Sequence, residues 1–147
     1  MYKITKLVEN LNKDFELNVN ISECETFIYC NKKDIVKLMM VLKEELKFMM
    51  LSSITAVDYS DKLEVVYHVT EDSGNLLKIK IKINRSDNAV PSITSVWKAA
   101  GVQEREIYDL MGIIFEGHDN LKRVLCTDDF DGHPLRKDFV LNPVNRF

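Results

Sequence analysis

The stretch "LLKIKIKI" at residues 76–83 constrains the fold more than any other part of the chain. Apolar side chains and lysines alternate along it: Leu77, Lys78, Ile79, Lys80, Ile81, Lys82 and Ile83. A period of two is typical of a β-strand with one face packed on an apolar core. The lysines then either face solvent or guard a sheet edge against aggregation, and a lysine-lined binding surface is the alternative. The stretch therefore predicts a sheet with one buried face.

Further strands are predicted on the N-terminal side of this one. The segments "SSITAVDY" (52–59) and "KLEVVYHV" (62–69) are rich in β-branched residues, and the short connection between them is typical of a hairpin. Earlier in the chain, "FELNVNI" (15–21) alternates and "TFIYC" (26–30) has strand composition. Together with 76–83, these segments predict a largely antiparallel sheet.

Helices are predicted where apolar residues recur every three to four positions. The segments with this period are 4–11, 35–46, 92–100 and 103–111. Asn31 is placed to cap the helix over 35–46, while Gly101 and Gly112 are expected to end the last two helices in the left-handed conformation. The fold class predicted is α+β, with helices packed on a mainly antiparallel sheet and an irregular, charged C-terminal segment.

Length and composition limit the function classes. The 147 residues fit a single domain, and the formal charge of -3 argues against a nucleic-acid binder. The three cysteines form no C-x-x-C pair, which argues against a structural zinc site and against an iron–sulfur cluster held by this chain alone. The N-terminus has no signal-peptide pattern, and no apolar run approaches the ~20 residues of a membrane span. Any membrane association is therefore expected to be indirect.

Ionisable residues are concentrated in the last third of the chain, in "QEREIYDLMG" (103–112) and "DDFDGHPLRKDF" (128–139). One interpretation is an active site, with acid–base chemistry assembled from His118, His133 and nearby carboxylates such as Glu106 and Asp138. A nucleophile elbow and a glycine-rich phosphate loop are both missing from the sequence. A metal set of His118, Cys126 and His133 would follow no known ligand spacing.

The other interpretation is a docking surface. Arginines and carboxylates on an ordered turn, with Phe130, Pro134 and Phe139 between them, offer a partner both hydrogen bonds and apolar anchors. On the helix over 103–111, Arg105 can reach Asp109 four residues later. A stand-alone binding module would use the same residues.

The segment "EREIYDLMGIIFEGHDNLKRVL", followed by "DDFDGHPLRKDF", resembles the signature of the C subunit of NADH:quinone oxidoreductase (respiratory complex I). The same family includes the equivalent subunit of energy-converting, membrane-bound nickel–iron hydrogenases. The resemblance is tight over roughly the last third of the chain. It implies one domain over 1–147, made of a variable α/β part (1–90), signature helices and turns (91–139) and a short tail (140–147).

The resemblance also implies a function without catalysis by this chain. Family members bind no cofactor or metal and dock the hydrogenase-like large subunit (the D subunit of the respiratory complex), beside the small iron–sulfur subunit. They lie on the cytoplasmic side of the membrane as peripheral subunits. The short C-terminal end favours a membrane-bound hydrogenase type, and the respiratory type stays open. The residues expected at the partner interface are Glu104, Arg105, Glu106, Tyr108, Asp109, Glu116, His118, Arg123, His133, Arg136, Lys137 and Asp138.

Overall fold

The computed structural model describes residues 11, 15, 18–21 and 26–141. Its strands are β1 (Asn18–Ile21), β2 (Thr26–Tyr29), β3 (Met50–Asp58), β4 (Lys62–Thr70), β5 (Leu76–Asn84), β6 (Ala89–Pro91) and β7 (Ile114–Glu116). Its α-helices are α1 (Ile35–Glu44) and α2 (Ala100–Met111). The helix predicted over 4–11 lies outside the described residues except for Leu11, and so does the predicted tail except for its first two residues.

Strands β1 to β5 form one sheet in the order β1-β2-β5-β4-β3, and β6 pairs with β7 in a small second sheet. Every neighbouring pair of the large sheet is antiparallel except β2 and β5, which run parallel, as do β6 and β7. Helix α1 contributes a fully buried apolar stripe to the core. The predicted α+β class with a mainly antiparallel sheet is confirmed.

The alternation in β5 has the predicted result on the core side. The side chains of Leu77, Ile79 and Ile81 are fully buried, as are their neighbours Leu63 and Tyr67 of β4. Because β4 and β5 stay in register over all nine residues of each strand, the core-facing apolar positions of one strand meet those of the other. This matched register defines the buried face of the sheet.

The lysines of β5 do not guard a sheet edge, because β5 lies in the middle of the sheet. Lys80 Nζ lies 4.1 Å from the ring centre of Phe27, and Lys82 Nζ lies 4.1 Å from that of Tyr29. Glu64 on β4 is also buried on this face, with its carboxylate 3.7 Å from Lys80 Nζ. The ammonium groups of these two lysines therefore lie over aromatic rings rather than guard an edge.

The hairpin predicted between 52–59 and 62–69 is confirmed by the pairing of β3 with β4. Ser60 adopts a positive φ of 72° in the connection, and its N–H donates to Asp58 Oδ1. At the other end of the sheet, Phe15 lies in a bend, so the strand predicted from residue 15 is described only from Asn18 onward. Asn31 precedes a 3-10 turn (Lys32–Asp34) without a side-chain capping bond.

The helix predicted over 92–100 is wrong. The chain makes turns there, and α2 begins at Ala100, so Gly101 lies in its first turn instead of ending a helix. The turns are held by Glu104, whose carboxylate accepts hydrogen bonds from Ser92 Oγ (2.6 Å) and from Ile93 N (2.8 Å). Gly112 does end α2 in the left-handed conformation, with φ 68°, as predicted.

Candidate docking surface

Residues 117–141, here called the C-terminal segment, contain neither helix nor strand. Their backbone polar groups must nevertheless find partners wherever they are removed from water. Much of this pairing comes from side chains of α2 and of the segment itself, whose charged groups bind backbone N–H and C=O groups. The charged residues of the signature therefore bind mainly the backbone of their own chain.

Asp109 on α2 is the centre of this arrangement and is fully buried. Its Oδ2 accepts hydrogen bonds from the backbone N–H groups of Val124, Leu125 and Cys126, at 3.0, 2.7 and 2.9 Å. Its Oδ1 accepts from Arg123 Nη1 at 3.1 Å. Burial alone would raise the pKa of Asp109, but the three N–H donors outweigh burial and lower it to about 2. A carboxylate that is ionised at neutral pH thus binds the segment to the helix.

Two of the three signature arginines bind carbonyl groups of the segment. Arg123 Nη2 donates to Gly132 O (2.9 Å), and its guanidinium lies 5.9 Å from the ring centre of Phe130. Arg105 donates to the carbonyl groups of Lys122 and Arg123, at 3.2 and 3.3 Å. The ion pair expected between Arg105 and Asp109 is therefore replaced by the pair of Asp109 with Arg123.

The histidines bind opposite ends of α2. His118 Nε2 lies 2.9 Å from Gly101 O near the start of the helix, and its Nδ1 accepts from Asn120 N. His133 Nδ1 lies 2.9 Å from Asp109 O near the end. The two helix carbonyls are separated by eight residues, or about 12 Å along the axis. In the part of the chain that the structure describes, no group of three or more His, Cys, Asp or Glu side chains is arranged to hold a metal ion.

The carbonyl groups at the end of α2 accept hydrogen bonds from residues of the C-terminal segment. Leu135 N donates to Leu110 O at 3.0 Å, and Arg136 Nε donates to Met111 O at 2.6 Å. These bonds satisfy carbonyl groups that a helix end leaves without an intrahelical partner. The positive φ of Gly112 is also needed for packing, because a Cβ there would lie 2.5 Å from Cδ2 of His133.

A second attachment joins the segment to the β3–β4 hairpin. The Asp58 carboxylate accepts hydrogen bonds from Lys137 N (2.9 Å), from Ser60 N and from the guanidinium of Arg85, which also binds Asp138 at 2.8 Å. Burial would raise the pKa of Asp58, but these donors lower it to about 2. Asp58 and Arg85 were missed at the sequence level, because residues 58 and 137 are 79 positions apart and no local pattern connects them.

Exposure divides the predicted interface residues into three groups. Glu104 and Asp109 are fully buried, and burial raises the pKa of Glu104 despite its bonds to Ser92 and Ile93. The half-buried residues are Arg105, Tyr108, His118, Arg123, His133 and Arg136. The exposed ones are Glu106, Glu116, Lys137 and Asp138. Only the residues of this last group expose enough of their side chains to contact another molecule freely.

Exposed apolar residues are the part of the surface that sequence reasoning missed. Those of the C-terminal segment are Val124, Leu125, Leu135, Val140 and Leu141, exposed by 40 to 76%. In the same segment Phe130 and Phe139 stack on each other, with ring centres 5.8 Å apart. Runs such as "VL" at 124–125 and 140–141 carry this signal in the sequence, but without the fold they cannot be distinguished from core residues.

The charged rim of this surface is mainly acidic. Exposed carboxylates are carried by Glu106, Glu116, Asp119, Asp128, Asp129, Asp131 and Asp138, and exposed lysines by Lys122 and Lys137. Beside them, an open depression of about 280 Å³ is lined by Asp131, His133, Arg136, Asp138 and Phe139, among others. Exposed apolar side chains with a charged rim are typical of a protein–protein contact.

Comparison with known proteins finds relatives that all belong to one family. The family described as respiratory-chain NADH dehydrogenase, 30 kDa subunit, matches residues 28–145. The NADH-quinone oxidoreductase C subunit of Moorella thermoacetica is 50% identical over 110 residues, which are 73% of this chain and 74% of that protein. The corresponding C subunit of Trichlorobacter lovleyi is 38% identical, with 99% of this chain and 95% of that protein covered.

A solved structure also shares the fold. One chain of the membrane-bound sulfane sulfur reductase, an archaeal respiratory membrane complex, is 26% identical and superimposes with a TM-score of 0.81. The superposition covers 95% of this chain and 86% of that one. The similarity therefore extends well beyond the signature residues into the sheet.

Proposed function

This chain belongs to the family of the respiratory-chain NADH dehydrogenase 30 kDa subunit, which is the C subunit of NADH-quinone oxidoreductase. We propose that it docks the large subunit of a complex I-type oxidoreductase. The chain is a subunit of a complex I-type respiratory oxidoreductase. Its proposed work is to hold the hydrogenase-like large subunit in position, beside the small iron–sulfur subunit. It would do so from the cytoplasmic side of the membrane.

The observation that carries the proposal is the form of the C-terminal segment. Its backbone is held by buried ionised groups, yet three of its leucines are exposed: Leu125 by 63%, Leu135 by 60% and Leu141 by 56%. A segment ordered in advance loses little conformational entropy on binding, so more of the contact free energy contributes to affinity. The signature residues Asp109 and Arg123 therefore serve docking by shaping the surface, while Lys137 and Asp138 contact the partner.

The proposed role is positional. The side chains of Asp109, His118 and His133 are occupied by hydrogen bonds within the chain. We expect the purified chain to be colourless and free of stoichiometric iron, nickel or flavin, which absorbance and metal analysis would check. Turnover by the isolated chain that disappears in a folded His133→Ala variant would instead favour an independent enzyme.

Attachment to the membrane is proposed to run through other subunits. None of the helices within residues 26–141 has the length and apolar content to cross a bilayer. We expect the chain to leave washed membranes together with the large subunit when the peripheral part of the complex is released.

Co-expression with the large subunit tests the proposal. We expect a stable complex at micromolar concentration, and Leu125→Asp should weaken it at least about tenfold by placing a charge in an apolar contact. Leu76→Asp is the matched control, because Leu76 is also exposed, at 43%, but lies on β5 in the middle of the sheet. If the two proteins stay separate with the other subunits supplied, the proposal is wrong.

A further inference from the structure

An apolar groove of about 270 Å³ lies between α2 and β3. Its walls include Ala56 of β3, Ile107, Leu110 and Met111 of α2, and Leu135 of the C-terminal segment. Leu135 is largely exposed, so the groove continues into the apolar surface already described. Its size suits one or two large apolar side chains from another molecule.

One wall of the groove is a sheet edge. Strand β3 has β4 on one side and ends the sheet on the other. Ile54 N donates to Gln103 Oε1 of α2 at 2.6 Å, so the polar backbone groups of Ile54 point away from β4. In an antiparallel pair this direction alternates, and Ala56, two residues further on, presents its N–H and C=O on the same side. A short extended segment can therefore pair with the edge at Ala56.

The rim of the groove is acidic. Glu106 lies on α2 among the residues that line it, and its carboxylate is exposed. An apolar side chain entering beside a carboxylate is favoured when its own chain brings a lysine or arginine to that carboxylate. The charge of the rim thus specifies the charge of the occupant.

We propose that this groove binds an extended segment of the partner subunit that carries a large apolar residue next to a lysine or arginine. The apolar side chain fills the space between Leu110, Met111 and Leu135. The backbone of the segment pairs with Ala56, and its basic side chain meets Glu106. This inference rests on the proposed docking function and adds the chemistry of the partner's contact.

A photo-activated cross-linker in place of Leu135, in the intact complex purified from membranes, tests this assignment. We expect a cross-link to a peptide of the large subunit with an apolar residue within about three positions of Lys or Arg, because that is the reach of a short extended segment. The same cross-linker in place of Leu76, which is 43% exposed on β5, two strands away from the edge at Ala56, should give no such link.

The outcomes separate the groove from the wider proposal. A link from position 135 to such a basic, apolar segment of a different subunit, together with failure of the co-expressed large subunit to bind, would keep the groove chemistry and overturn docking of the large subunit. A link to an acidic segment, a link to residues 142–147 of the same chain, or no link in an assembled complex would overturn the groove assignment and leave docking standing.

Reversing the charge of Glu106 tests the role of the groove's rim independently of the cross-link. We expect Glu106→Lys to weaken binding of the large subunit about tenfold at low salt, and Glu106→Gln to weaken it less. Glu44→Lys, at the exposed end of α1, is the matched control and should bind like the unaltered chain. Equal binding by Glu106→Lys and Glu44→Lys would contradict the role of the rim.

Discussion

The five-stranded sheet and the C-terminal segment reach an ordered structure by different means. In the sheet, backbone groups pair along the strands and apolar side chains such as Ile79 and Tyr67 fill the core. In the segment, ionised side chains such as Asp109 and Arg123 bind the backbone directly. Loss of one surface charge should therefore matter little in the sheet, whereas loss of one buried charge should release much of the segment.

The two regions also present different surfaces. The outer face of the sheet carries Lys80 and Lys82 over aromatic rings, whereas the segment carries exposed leucines with an acidic rim. Because neither surface follows from the net charge of the whole chain, the partner chemistry has to be inferred region by region. The proposed docking contact belongs to the segment.

Acidification should produce the largest difference in stability between the C-terminal segment and the sheet, because it weakens both attachments of the segment, at Asp109 and at Asp58. The pKa values of Asp58 and Asp109 are lowered to about 2 from an ordinary value of 3.8. Their stabilisation is thus complete above pH 3.8 and is lost as the pH falls towards 2. Glu104 acts in the opposite direction, since its raised pKa makes its ionised form a cost that protonation removes.

We expect the amide NMR signals of Val124 and Gly132 to collapse towards unfolded positions between about pH 4 and pH 2, while those of β4 and β5 persist. Simultaneous loss of both sets of signals would show that the segment and the sheet form one cooperative unit.

The next largest effect is expected from Asp109→Asn. The substitution keeps the size of the side chain but removes the charge that three N–H groups and Arg123 share, which should cost about 3 kcal/mol. Urea denaturation measures this change in the free energy of unfolding. Asp138→Asn is the matched control, because the Asp138 side chain is 61% exposed and should change stability by less than about 1 kcal/mol.

Gly112→Ala should destabilise the protein by about 2 kcal/mol, since it adds both backbone strain and a contact with the ring of His133. Gly74→Ala separates the two causes: Gly74 has a similar positive φ of 88° but nothing within 4 Å of an added Cβ. We expect a loss of about 1 kcal/mol there, measured by the same denaturation. Equal losses at both glycines would mean that the His133 contact carries no energy.

The smallest effect is expected from Lys82→Ala on the sheet. Its ammonium group lies over the ring of Tyr29 at an exposed position, where such a contact contributes about 0.5 kcal/mol. A loss as large as that of Asp109→Asn would erase the distinction between the two regions. A thermal denaturation series with both variants gives this comparison directly.

The regular half of the molecule could be predicted from the sequence because its determinants are local. Alternation in 76–83 indicated the buried face, the short connection between two β-rich runs indicated the hairpin, and Gly112 indicated the end of α2. The helix predicted over 92–100 failed because the carboxylate of Glu104, supplied from the following helix, stabilises turns that the apolar spacing does not reveal.

The candidate site could be located from the sequence but not divided into internal and external residues. The position of Asp109 gives no sign that its partners are the N–H groups 15 to 17 residues later. An irregular segment has no period from which such contacts can be derived. The family resemblance supplied the residues expected at the interface, and in the fold Glu104 and Asp109 are buried and bind backbone N–H groups of the same chain.

Hydrogen exchange of the isolated chain at neutral pH tests the central claim, that the C-terminal segment is ordered before any partner binds. We predict that the amides of Val124, Leu125 and Cys126, which donate to Asp109, exchange orders of magnitude more slowly than in an unfolded chain. Exchange of these three amides at the unfolded rate, with β4 still protected, would contradict the account.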